Sequence, residues 1–102
     1  MRIALGQFDA VIGNLEANSR SIEALAEEAQ RGEADLLVLP ELSLLGYPPR
    51  DLLLREELVP TCEAAAERLA ARLTIPTLVG LPRRVTGGSR QIANSMALCR
   101  DG

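Results

Sequence analysis

Histidine and lysine are both absent from this sequence of 102 residues. Without histidine there is no Ser-His or Cys-His nucleophile pair and no imidazole metal site. All 11 basic residues are arginine. Arginine stays protonated and does not serve as an ordinary general base, and no lysine is there to take its place. Tryptophan is missing too, and aromatics make up only 2% of the chain. The core must therefore be built from Leu, Val, Ile and Ala. The two cysteines, Cys62 and Cys99, form no metal-spacing motif. No apolar run is long enough to span a bilayer. Met1 to Phe8 lacks the apolar region and small-residue cleavage site of a signal peptide. The expectation is a cytoplasmic chain with no membrane partner, in which a disulfide is not expected. A net charge of −3 argues against a nucleic-acid partner.

The length suits one small domain with a single core, and an apolar fraction of 47% argues against disorder. Arg2 to Phe8 reads as a first strand. Asp9 to Gly13 is a connection, and Asn14 a plausible N-cap. Leu15, Ile22, Leu25, Ala26 and Ala29 then fall on one face of an amphipathic helix over about 14 to 31, with Gly32 as its stop. Asp51 can cap a short turn through Leu52 to Leu54. Leu58, Cys62, Ala65, Ala66, Leu69 and Leu73 form the stripe of a second helix, in which Pro60 fits only near the first turn. Ile75 to Pro82 reads as a buried strand. Arg83 to Val85 and Gln91 to Cys99 read as hairpin arms around Thr86 to Ser89. Cys62 and Cys99 both lie in apolar patterns and read as small core residues rather than nucleophiles. Asn94 is the odd polar residue of its arm, either a buried bracket or an exposed position. Asp101-Gly102 is a turn signal with no returning strand, so the sequence is read as stopping inside a sheet. Strand, helix, strand at the start makes a βαβ unit, and the fold class is α/β.

Leu36 to Leu39 organises the rest. It is a continuous apolar run, the pattern of a strand covered on both faces. Pro40 cannot donate to a ladder, so pairing should end there. Glu41 follows at the carboxyl end of that strand, where open α/β sheets place their ligands. The plainer alternative is that Glu41 is just the first solvated residue. A short apolar run, Gly46 and the pair Pro48-Pro49 come next.

The run Leu39-Pro40-Glu41-Leu42-Ser43-Leu44-Leu45-Gly46-Tyr47 resembles the first signature of the nitrilase-like carbon–nitrogen hydrolases. Ile3 to Gln7 with Gly13-Asn14 looks like the opening of the same superfamily. The continuation Gly46-Tyr47-Pro48-Pro49-Arg50-Asp51-Leu52-Leu53-Leu54-Arg55 is narrower. It is similar to the glutaminase domain of the glutamine-dependent NAD synthetases. Val79 to Pro82 and Asn94-Ser95 sit where those domains have a strand and a hairpin. Ile92 departs from the pattern, since an aromatic often stands there.

The resemblance implies a nitrilase-type α/β/β/α sandwich of which residues 1–102 are only the N-terminal portion: an incomplete hydrolase (glutaminase) domain, with the synthetase domain absent. It implies hydrolysis of the amide of L-glutamine by a Glu-Lys-Cys triad. Glu41 matches the glutamate, a general base. The lysine and cysteine have no counterpart here. Tyr47 is implied for the substrate pocket and Asn94 for structural bracing. No cofactor is expected in this chain, and ATP and Mg²⁺ are implied only for the synthetase domain, which would use the ammonia to amidate nicotinic acid adenine dinucleotide. A homo-oligomer is implied for the full-length form. On this reading the chain alone is inactive. Two other readings stand beside it: a piece of a stand-alone amidase, or a non-catalytic interaction module.

Overall fold

Asn14 ends a loop and starts a helix. Its side-chain oxygen accepts a hydrogen bond from the Ala17 N–H at 3.0 Å, satisfying one of the donors a helix start leaves open. In the computed structural model, which describes residues 1–46, 58–84 and 92–100 (83–84 and 92–94 by backbone only), helix α1 spans Leu15–Arg31. Glu16 in its first turn and Arg31 in its last both complement the helix dipole. Ile22, Ala26 and Ala29 are buried as the spacing predicts, whereas Leu15 and Leu25 are half-buried at the edge of the stripe.

Gly32 does end the helix, but not in the left-handed conformation expected of a glycine stop. Its φ is −80°. The left-handed residue is Glu33, at φ +60°. The Glu33 N–H donates to the Gln30 carbonyl and the Ala34 N–H to the Ala29 carbonyl, each at 3.0 Å. That pair of bonds is a Schellman motif with its left-handed position on Glu33.

Strand β1 spans Ile3–Leu5, shorter than the 2–8 span predicted, though ladder-type bonds at Arg2 and Gly6 add a residue at each end. Strand β2 spans Leu36–Val38 and pairs parallel with β1. Its last bond is from the Leu39 N–H to the Leu78 carbonyl at 3.1 Å, and Pro40 stops it as expected. Helix α2 spans Leu58–Ala70, with Pro60 in its first turn, where its missing N–H costs no intrahelical bond. Its buried stripe is Val59, Cys62, Ala65, Ala66 and Leu69; Leu58 is only half-buried.

Strand β3 spans Thr77–Arg84, so the strand and the first hairpin arm read separately are one element. Pro82 does not break it for a geometric reason. Leu78 turns its backbone groups toward β2, and Gly80 turns its own to the same side, toward the chain that follows β2. Pro82 shares their phase, so its missing N–H falls on the side away from the β4 ladder. Strand β4 spans Ile92–Cys99 and pairs antiparallel with β3, from Thr77 opposite Cys99 to Arg84 opposite Ile92. Among the described residues the sheet order is β1-β2-β3-β4, with the first three strands parallel. The Thr86–Ser89 turn, the Asp51 cap with Leu52 to Leu54, and Asp101-Gly102 lie outside the described residues.

Both helices cover one face of the sheet. Ile22, Ala26 and Ala29 of α1, and Ala65, Ala66 and Leu69 of α2, pack on Leu37, Leu39, Val79, Leu81 and Cys99. The opposite face carries the other phase of the same strands: Ile3, Leu5, Leu36, Val38, Leu78, Met96 and Leu98. Here Leu5 is 77% exposed, Leu98 55%, Ile3 52% and Met96 47%. The expectation that β2 is covered on both faces is thus corrected, because Leu36 and Val38 are only half-buried. The described residues supply one helical layer and one sheet, half of a four-layer α/β/β/α sandwich.

Candidate functional site

The site gathers at the carboxyl ends of the parallel strands. Glu41 is the second residue after the last β2 ladder bond and is exposed. It borders a cleft of about 130 Å³ lined by Phe8, Asp9, Ala10, Pro40, Leu42 and Ser43. Phe8 to Ala10 leave the end of β1, so two neighbouring parallel strands feed the same cleft. Larger clefts lie elsewhere, between the helices and beside the β1 edge, away from Glu41.

Residues 41–45 form a tight turn. The Ser43 N–H donates to the Pro40 carbonyl at 3.2 Å, and the Gly46 N–H to the Leu42 carbonyl at 2.8 Å. Leu42 adopts φ +51°, a conformation bulky side chains rarely take. Its side chain is buried, as are Ser43, Leu44 and Leu45. Backbone strain beside the candidate base has the character expected of a functional turn.

Gly46 closes the turn at φ +100°, and a Cβ there would stand 2.8 Å from the Ile12 Cα. The glycine is required both by its backbone and by that close approach. The loop it touches is tied in further. The Gly13 N–H donates to the Leu45 carbonyl at 2.8 Å. Asn18, on α1, accepts from the Val11 N–H at 2.8 Å and donates to the carbonyls of Val11 at 2.9 Å and Leu44 at 2.8 Å. One buried amide therefore joins the helix, the loop after β1 and the Glu41 turn.

The cysteines are elsewhere. Cys99 belongs to the core between sheet and helices, and Cys62 is buried on α2. Burial, with Glu63 adding its negative charge, pushes the Cys62 thiol up to about 11. Burial pushes the Cys99 thiol up as well. A nucleophilic cysteine needs the reverse shift, so both fit the core role read from sequence. Tyr47 lies outside the described residues. Asn94 pairs with Pro82 in the hairpin, and its side chain is outside the described ones. Among the described residues no group of three or more His, Cys, Asp or Glu side chains could hold a metal ion.

Asn18, Leu42, Ser43 and Gly80 were not singled out from sequence. Asn18 had a signal: it is a polar residue between Leu15 and Ile22 at helical spacing, on the buried stripe. Gly80 had one too, as a lone glycine inside an apolar strand, which marks close backbone approach. Nothing in the sequence marks Leu42 as left-handed.

A family model for carbon–nitrogen hydrolases matches residues 2–102. The chain belongs to the carbon–nitrogen hydrolase family. The glutamine-dependent NAD(+) synthetase of Acinetobacter baylyi is 39% identical over 101 residues, 99% of this chain and 18% of that protein. The crystal structure of a glutamine-dependent NAD(+) synthetase from Cytophaga hutchinsonii superposes with a TM-score of 0.89 at 29% identity, covering 99% of this chain and 17% of that one. An amidase from Nesterenkonia sp. superposes with a TM-score of 0.78 at 29% identity, over 96% of this chain and 37% of that one. The chain thus spans less than a fifth of the synthetases and under two-fifths of the amidase. The nitrilase-like resemblance and the α/β fold class expected from sequence both hold.

Proposed function

We propose that residues 1–102 are an incomplete glutaminase domain of a glutamine-dependent NAD synthetase and that Glu41 is its general base. The observation that carries this reading is the position of Glu41: at the carboxyl end of a central parallel strand, on a strained turn tied to three other segments. In the proposed reaction a cysteine thiol gives its proton to Glu41, and the sulfur attacks the amide carbon of L-glutamine. Glu41 passes that proton to the departing ammonia. It then takes a proton from the water that opens the thioester. A lysine stabilises the oxyanion as it forms. This chain has no lysine. Its two cysteines are buried with raised pKa values. Both missing groups are therefore assigned to parts of the parent domain that this chain does not span.

The ammonia would serve a synthetase domain that amidates nicotinic acid adenine dinucleotide. ATP and Mg²⁺ are assigned to that domain and not to this chain. The complete protein is proposed to be a cytoplasmic homo-oligomer with no nucleic-acid partner. Among the described helices none is long and apolar enough to cross a membrane. A second reading, part of a stand-alone amidase, is favoured by the likeness to the Nesterenkonia amidase. At the same 29% identity, the superposition on the Cytophaga synthetase has a TM-score of 0.89 against 0.78 for that amidase, which favours the first. The purified 102-residue chain should release no ammonia from glutamine. Measurable hydrolysis by this chain would overturn the assignment of the missing groups.

A further inference from the structure

We infer that Gly80 and Ser43 are positioning residues for Glu41, an inference that rests on the reading of Glu41 as the base. Strand β2 stops at Pro40 while β3 runs on, so the next β3 residue facing that side would be left with unpaired backbone groups. That residue is Gly80. Its N–H donates to the Ser43 Oγ at 3.3 Å, and its carbonyl accepts from the Leu44 N–H at 3.2 Å. The Glu41 turn thus continues the ladder that β2 abandons, with a side-chain oxygen replacing the missing strand carbonyl. Both partners are enclosed, Ser43 being 3% exposed.

The turn also lies directly on Gly80. A Cβ at that position would stand 2.5 Å from the Leu42 N, 2.7 Å from the Pro40 O and 3.1 Å from the Glu41 C. All three atoms are backbone, so no side-chain rotation can relieve the clash. Any other residue must lift the peptide that carries Glu41. Leu42, left-handed at φ +51°, reverses the chain immediately afterwards, so that its own side chain is buried while Glu41 is exposed. Gly80 below, Ser43 beside and the reversal at Leu42 together hold the Glu41 backbone in place. A displacement near 1 Å at a reacting group costs on the order of 100-fold in rate.

The test uses the full-length protein that carries these residues and measures glutamine hydrolysis together with thermal unfolding. Gly80→Ala should lower kcat by about 100-fold and Ser43→Ala by about 10-fold, with KM changed less than about threefold in each. In a Glu41→Asp background, whose carboxylate is one methylene short, each should cost several-fold less than in the wild type, because the base is already misplaced. Ser43→Ala should also speed hydrogen exchange at the Gly80 amide. If Gly80→Ala does not fold, Ser43→Ala, which removes one oxygen, decides alone. Wild-type kcat in the folded variants, or losses that multiply undiminished with Glu41→Asp, would overturn the positioning role. Full activity in Glu41→Gln would instead overturn the reading of Glu41 itself.

Discussion

Asn18 is 1% exposed and uses both ends of its amide, accepting once and donating twice. Two of its partners are carbonyls, so only a side chain with an N–H₂ serves both. Asn18→Asp would aim a carboxylate at those carbonyls and should destabilise the protein more than Asn18→Ala, which should cost about 2–3 kcal/mol through stranded polar groups. Denaturant midpoints of the two variants check the order, and an aspartate variant as stable as wild type would contradict it. The cysteines make a second prediction. Burial and Glu63 lift the Cys62 thiol from its ordinary 9.0 to about 11 in the folded state. Below pH 9 both folded and unfolded chains hold the proton, and stability is intact. As pH rises from there the unfolded chain ionises first, and stability falls until the folded value is passed, by about 2–3 kcal/mol in all. Comparing urea midpoints at pH 8 and pH 10.5 should show a steeper loss for wild type than for Cys62→Ala; equal losses would contradict the shift. These residue-level facts were unevenly legible. Core cysteines follow from apolar spacing. The three-way bond of Asn18 depends on which loop the fold brings to α1, and no local pattern encodes that.

Elements were read best where a cap and a period agree. Asn14, the apolar stripe and Arg31 place α1 within one residue, because each signal is local. Gly32 ends α1 as read, but the left-handed position falls one residue later, on Glu33, since a Schellman motif fixes that position by hydrogen bonds. Glu33→Gly should therefore stabilise the protein by about 0.5–1 kcal/mol, by removing the Cβ penalty at φ +60°. Gly32→Ala should also be tolerated or mildly stabilising, because φ there is −80° and an added Cβ would meet its nearest atom at an ordinary 3.5 Å. A fall in melting temperature for Glu33→Gly would contradict this geometry. The strand Ile75 to Pro82 and the arm Arg83 to Val85, read separately, fall in one strand, Thr77–Arg84. Only the pairing shows that the Pro82 nitrogen falls on the side where β2 has ended, so the strand can run through it.

At the scale of the whole molecule, the exposed sheet face is what separates this chain from a finished sandwich. An apolar run such as Leu36 to Leu39 signals burial on both faces, but sequence does not tell which chain segments supply the second cover. Leu98→Glu, on that face, should change the stability of this chain by less than about 0.5 kcal/mol, as an exposed substitution does. It should also reduce self-association in sedimentation. In the full-length protein the same change should be strongly destabilising, if the remaining layers cover this face as the four-layer sandwich requires. Equal effects in both settings would contradict that. The chain carries one proposed member of a triad, bordering a cleft at the end of β2, and that is also the most direct point of test. In the full-length protein, Glu41→Gln should abolish glutamine-driven synthesis of NAD while leaving ammonia-driven synthesis largely intact. Survival of both activities, or loss of both in a folded variant, would contradict the role given to Glu41.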